Sequence, residues 1–209
     1  MHISEKNRIL TQYFVTNCLY DGFNLLIHYI AIILNNTLTP MQVGVLFTVY
    51  NLTAVIFEIP TGSLADRIGR KNLLTIAKLF HILAIILVIF DKSFLSFFIY
   101  FFLVGISDTL FSGALDALHY DNMKAIKIES KFNIYQARKE SISLIGGALS
   151  AFLSSFIVKY YGYNSLFFIE LFVAILFIIF LFFSIDYYKT NKNLQNLTND
   201  YLKILKNTF

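Results

Sequence analysis

The chain has 209 residues, of which 57% are hydrophobic and 14% charged, a balance that excludes a soluble globular domain, which needs far more charge to cover its surface. The net charge of +4 comes from basic residues scattered over separate connections beside apolar runs, which argues against a nucleic-acid partner. A single cysteine, Cys18, excludes an internal disulfide and leaves nothing for a thiolate metal site.

The opening MHISEKNRIL has no short apolar region with a small-residue cleavage site, so the first apolar run is expected to be retained. Apolar stretches of about 20 residues then recur, the length that crosses a hydrocarbon core roughly 30 Å thick. They are continuous, not alternating, which favours helices over barrel strands. The first helix is expected over 9–34. LNNTLTPMQ makes the next turn, where Pro40 suits a helix start and not a helix interior. Helices follow over 42–64, 73–90, 94–120, 132–158 and 163–186, with FDKS and YYGYN as turns, all to within about 2–4 residues. Short hairpins make consecutive helices antiparallel neighbours. The polar, Asn-rich segment 187–209 carries Leu194, Leu197, Tyr201, Ile204 and Leu205 at helical spacing, which suits an interfacial helix or a solvated tail.

Lys and Arg orient the chain. Fifteen of them, from Lys6 and Arg8 to Lys203 and Lys206, fall on one side, counting Lys78 as a side chain that snorkels there; Lys92 and Lys159 alone fall on the other. The positive-inside rule then places both termini in the cytoplasm and the spans in the cell membrane.

The connection after the second helix reads PTGSLADRIGRK, residues 60–71. Gly62, Leu64, Ala65, Asp66, Arg67, Gly69, Arg70 and Lys71 resemble the signature loop of the major facilitator superfamily, G-x-L-A-D-R-x-G-R-[KR]. Glu58, Pro60 and Thr61 extend the likeness to the E-x-P-T-G version. SGALDALHYD, residues 112–121, is similar to the SGA-x-[ED]-A-x-x-Y-D pattern of the same subgroup. The resemblance covers about 9–186 and implies an all-α membrane protein. Residues 1–186 would form the N-terminal six-helix half of that fold, as two three-helix repeats. The resemblance implies a conformational latch built from Gly62, Asp66, Arg67, Gly69, Arg70, Lys71 and Asp121. In it Asp66 engages a helix end of a second bundle, Arg70 pairs with Asp121, and Lys71 mainly sets topology.

Ionisable residues at bilayer depth are costly and usually face a cavity or partner. Asn17, Asp21, Asn24 and His28 share one face of the first helix. Asp108, Ser112, Asp116 and His119 make a similar stripe on the fourth. Asn51 and Glu58 share a face of the second helix, and Gln136, Glu140, Ser143, Gly147 and Ser154 do so on the fifth. The third and sixth are nearly bare apart from Lys78, His81 and Glu170. This order matches what the resemblance implies. Helices one and four would line a central cavity, two and five the contact between halves, and three and six the lipid. The expected solute cavity holds Asp21, Asn24, His28, Asp108, Ser112 and Asp116, led by the two mid-span aspartates. The expected half–half contact holds Asn51, Glu58, Gln136 and Glu140. Two carboxylates in a low-dielectric cavity cannot both ionise cheaply, which suits proton coupling or a cationic solute. The alternative is that Asn24, His28 or a serine simply satisfies either aspartate.

Two departures weaken a drug–proton antiport reading. Thr109 stands where such members carry an arginine, and Ile142 and Ser143 replace the Gly-Pro pair of the fifth helix. Gly146 and Gly147 remain and would allow close helix packing. No nucleophile–base pair, phosphate loop or metal cluster points to an enzyme or a cofactor. The expected function is a carrier moving a small solute by alternating access. The alternative is a half-size, non-transporting partner subunit. The polar faces of helices two and five imply a homodimer or a separate second six-helix half.

Overall fold

The computed structural model describes residues 3–186 except Phe23; the side chains of residues 3–5, 21–22, 59–63 and 65–66, and the whole of the 187–209 tail, lie outside the described residues. Seven α-helices make up the fold. They are α1 (Ile3–Asn17), α2 (Ile30–Asn35), α3 (Pro40–Ile68), α4 (Arg70–Phe90), α5 (Phe94–Ala125), α6 (Phe132–Tyr161) and α7 (Asn164–Phe183). No strand occurs among the described residues. Five helices, α3 to α7, are long and apolar enough to cross a membrane by length and composition.

The segment expected to be one helix over 9–34 is broken. After α1 come a π-helical turn over Cys18–Gly22, a 3-10 turn over Leu26–His28, and the short α2. The sequence CLYDGFN explains the break, because Asp, Gly and Asn are weak helix formers. Asn17 also turns its amide back onto the Tyr13 carbonyl at 2.6 Å, a local bond that competes with regular helix continuation.

The α3 start is fixed by a capping box. The Thr39 N–H donates to Gln42 Oε1 at 2.9 Å, the Gln42 N–H donates to Thr39 Oγ1 at 3.4 Å, and Pro40 takes the first helical position. The helix runs through Pro60 to Ile68, so the expected loop over 65–72 is largely helical. Its reversal is concentrated at Gly69, whose φ of +92° is a conformation that L side chains rarely adopt. Ser93 caps α5 by accepting the Ser96 N–H at 3.3 Å.

Helix α5 is the hub, with α3 and α4 packed along it and α7 behind α4. At Gly105 a Cβ would stand 3.0 Å from Thr53 Cβ and from the Tyr50 carbonyl, so the glycine lets α3 and α5 touch. A Cβ on Gly147 would meet nothing within 4 Å, so among the described residues this glycine serves no close packing.

Two apolar cores form. One gathers Leu46, Ala84, Ile85, Val88, Phe97 and Leu166. The other gathers Leu73, Leu74, Ala77, Phe111, Phe177 and Leu181. The third and sixth expected helices, α4 and α7, bury one face in the bundle and keep an apolar outer face, with Leu79, Leu83, Phe168 and Phe172 exposed. The apolar windows of α4 and α7 are 44% and 33% buried, against 17% and 11% for α3 and α6. Small residues on one face of α4, Ala77 and Ala84, let it sink against α5 and into both cores.

Candidate functional site: a charged cavity between two cores

Where the two cores part, α4 and α7 carry polar residues. Lys78 and His81 follow Ala77 and precede Ala84 on α4; Glu170 lies between Phe167 and Phe177 on α7. With Asp108 of α5 they line a cavity of about 350 Å³. Tyr20, Asn24, Tyr50, Asn51 and Tyr100 add polar edges, and residues such as Phe47, Phe101 and Val104 add an apolar wall.

The cavity lies at mid-helix depth. At a rise of 1.5 Å per residue, His81 is roughly 16 Å along α4 from Arg70. On the same measure Asp108 lies roughly 21 Å from the Phe94 start of α5, and Glu170 roughly 9 Å from the Asn164 start of α7 and roughly 20 Å from its Phe183 end. Tyr50 donates its hydroxyl to Asp108 Oδ2 at 3.0 Å, tying α3 to α5. His81 Nε2 stands 3.4 Å from Glu170 Oε1, linking α4 to α7. That approach lacks hydrogen-bond alignment. Both His81 ring nitrogens and Glu170 Oε2 are buried and make no hydrogen bond among the described residues.

Lys78 does not snorkel to the surface. It is 4% exposed, and its ammonium sits 5.0, 5.1 and 5.3 Å from the ring centroids of Tyr20, Phe111 and Phe177. Such cation–aromatic contacts replace part of the hydration a buried ammonium loses. Lys78 therefore leaves the set of basic residues that mark one membrane side.

The other expected site residues disperse. Asn24 and Asp108 line the cavity, and so does Asn51, which was expected at a half–half contact. The side chain of Asp21 lies outside the described residues. His28, Ser112 and Asp116 are not in the cavity lining. Ser112 turns back onto the Thr109 carbonyl at 3.3 Å. Asp116 stands 3.5 Å from Lys139 of α6, with 47% of its side chain exposed. His119, from the same stripe, is packed away. Its Nε2 is 3.1 Å from Thr16 Oγ1 and 3.3 Å from Asn17 Nδ2, and its ring lies 4.5 Å from that of Tyr13. The polar stripes of the first and fourth helices thus meet at Asn17 and His119. Glu58 and Glu140 are exposed, and Gln136 accepts the Tyr13 hydroxyl at 2.9 Å.

At one end of the bundle, Arg70 Nε donates to Asp121 Oδ2 at 2.7 Å. Arg67 is exposed, while the surroundings of Gly62 and the side chain of Asp66 lie outside the described residues. Lys71 does more than set topology. Its ammonium donates to the Phe182 and Ser184 carbonyls at 2.8 and 3.1 Å, closing the end of α7. Gln12 and Asn122 hold the next carbonyl, Ile185 O, at 2.8 and 3.0 Å.

Sequence reading missed Lys78, His81 and Glu170 as cavity groups. The signal was present: they are the ionisable residues of two otherwise apolar spans, and such residues mark function by default.

Apolar helices around a buried charged cavity define a multi-pass membrane protein of the transport class. The sequence matches the Major Facilitator Superfamily over residues 9–205, and the chain belongs to that family of membrane transporters. A search of curated proteins returned no match.

Proposed function

We propose that the chain is a carrier that moves a small solute across the cell membrane by alternating access. The observation that carries this reading is the cavity of about 350 Å³, at mid-helix depth, walled by Asp108, Lys78, His81 and Glu170. Charged groups are retained at that depth when they face a solute or an ion. Asp108 and Asn24 form the solute-facing wall, and Asp21, three residues before Asn24 in the broken first span, belongs to the same wall. The broken pieces from α1 to α2 cross together as a discontinuous first span, completing six. Both termini face the cytoplasm, as the Lys and Arg distribution supports. The cluster of acids beside a histidine suits proton coupling.

The deciding experiment is a proteoliposome uptake screen with and without a pH gradient. Asp108→Asn and Asp21→Asn should each lower uptake by about tenfold or more while leaving membrane insertion intact, the scale of one lost charge-assisted contact. Wild-type uptake with both aspartates replaced removes them from the site.

A second reading, a half-size subunit that works only with another six-helix bundle, is favoured by one observation. The apolar windows of α3 and α6 are only 17% and 11% buried, yet these helices present Asn51, Glu58 and Glu140 on exposed faces. A second copy or a separate half would cover them.

A further inference from the structure

We propose that α1 is a hinged arm. It docks on the bundle through a clasp of hydrogen bonds, and its release lifts Tyr20 off Phe111 and opens the cavity toward the Arg70–Asp121 end. The opening rests on the carrier reading above; the hinged docking does not.

The first argument is what holds α1. Helices α4, α5 and α7 meet in the two apolar cores, and among the described residues none of α1 joins either. Its buried side chains are Ile9, Gln12, Tyr13, Thr16 and Asn17. Three of these are polar, and a fourth, Tyr13, spends its hydroxyl on Gln136 of α6 at 2.9 Å. Thr16 Oγ1 and Asn17 Nδ2 stand 3.1 and 3.3 Å from His119 Nε2 of α5. Gln12 takes both backbone groups of Ile185, just past α7. Its Nε2 donates to the carbonyl at 2.8 Å and its Oε1 accepts the N–H at 2.7 Å.

Such a clasp is easier to undo than a core. Hydrogen bonds near the end of a bundle exchange for bonds to water with little net change, whereas parting a core exposes apolar area at a cost proportional to that area. Asn17 Oδ1 adds to the difference. It is buried and makes no hydrogen bond among the described residues, so docking leaves it unsatisfied and release gives it water.

The second argument is where α1 ends. The π-helical turn over Cys18–Gly22 follows directly. A turn of this kind departs from the α-helical hydrogen-bond ladder, and a few residues at an element's end suffice as a hinge. Tyr20 sits in the middle of that turn. Its ring stacks on Phe111 of α5, with centroids 4.0 Å apart and planes 16° from parallel, and it also lines the cavity. Phe111 lies three residues past Asp108 toward Asp121, roughly 4.5 Å along α5, and is not itself in the lining. The stack is therefore the cavity's floor on that side, and a swing of α1 about the turn carries Tyr20 away from it.

The test uses the purified full chain in detergent and follows amide hydrogen exchange. The α1 amides should exchange together, and about tenfold or more faster than those of α4 and α5. Gln12→Leu keeps the bulk of the side chain and removes its bonds. It should speed exchange of α1 and of Ile185 by about tenfold and leave α4 and α5 unchanged. If Gln12→Leu does not fold, Tyr13→Phe takes its place, with the same result expected in α1. Exchange of α1 as slow as that of α4 and α5, or unchanged α1 exchange in the variant, overturns the hinged arm. The opening is tested in proteoliposomes. In a Cys18→Ser background, Gln12→Cys and Asn122→Cys, whose native side chains meet at Ile185 O, are joined by a short bifunctional methanethiosulfonate. Uptake should fall about tenfold or more on linking and return on reduction. Undiminished uptake with the link formed overturns the opening and leaves the carrier reading standing. If the wild type moves no solute, the carrier reading and the opening fall together, and the exchange result alone decides the hinged arm.

Discussion

Arg70 and Asp121 join across 51 residues of sequence, with Arg70 Nε 2.7 Å from Asp121 Oδ2. The pair ties the first residue of α4 to the last turns of α5. Both side chains are mostly covered, at 16% and 24% exposure. A partly buried, charge-assisted bond of this kind is worth more than a solvated surface pair. Its neighbour Lys71 holds a different element, the end of α7.

That division gives a prediction. Arg70→Ala should lower stability in detergent by about 1–3 kcal/mol, because Asp121 then keeps a charge without its partner. Arg70→Asp alone should be worse, and Arg70→Asp with Asp121→Arg should recover part of the loss. Lys71→Ala should also destabilise, and its signature is local: faster protease cleavage after α7 with less change at the α4–α5 contact. Thermal midpoints and limited proteolysis check both. A swap that recovers nothing at normal expression counts against the pairing.

The pair was legible in the sequence only through the resemblance of the segments around Arg70 and Asp121 to two motifs of the family, since nothing local brings them together. Asp108 was legible as an acid in mid-span. The roles of Lys78, His81 and Glu170 were not. A membrane helix is apolar toward lipid and apolar toward its neighbours, so periodicity does not tell its two faces apart. One or two charged residues in about twenty then carry the whole signal, and it was read as lipid-facing. The small residues Ala77 and Ala84 were the missed clue, since they let α4 sink into the bundle. The break after Asn17 was hidden for another reason: a hydropathy reading sees 9–34 as one run, while the weak helix formers in CLYDGFN set where the run stops being helical.

Gly105 sets how closely α3 can approach the cavity. Its missing Cβ leaves room for Thr53 and for the Tyr50 carbonyl, each 3.0 Å from where a Cβ would stand. Backbone gives little, so Gly105→Ala must push α3 outward. We expect a loss of about 1–3 kcal/mol, the usual cost of overpacking. The displacement also lengthens the Tyr50–Asp108 hydrogen bond, now 3.0 Å, so solute affinity should fall with stability. Gly44→Ala is the control, because a Cβ there meets nothing within 4 Å. Equal midpoints for the two variants would show that α3 and α5 are not held by this contact.

The α3 and α6 faces give the last prediction. Val55 on α3 and Leu149 on α6 are 65% and 57% exposed, and lipid alone would satisfy them. The polar groups beside them are another matter. Glu140 keeps 70% of its side chain exposed, and Asn51 and Glu58 are exposed on α3. Asn51 turns its amide back onto the Phe47 carbonyl at 2.8 Å and Glu140 stands 3.8 Å from Lys139, so these groups are locally paired yet still set polar faces among exposed apolar ones. A second bundle laid on these two faces would take both the polar and the apolar groups out of contact with hydrocarbon. A parallel arrangement, about an axis along the membrane normal, keeps both bundles in one orientation. In a Cys18→Ser background, Val55→Cys with Leu149→Cys should therefore crosslink between chains in native membranes. Phe172→Cys on α7, 60% exposed but with no such polar neighbours on its face, should not. Crosslinking from Phe172 at the same rate would mean non-specific collision. A chain that stays monomeric and still transports would show that α3 and α6 meet only lipid.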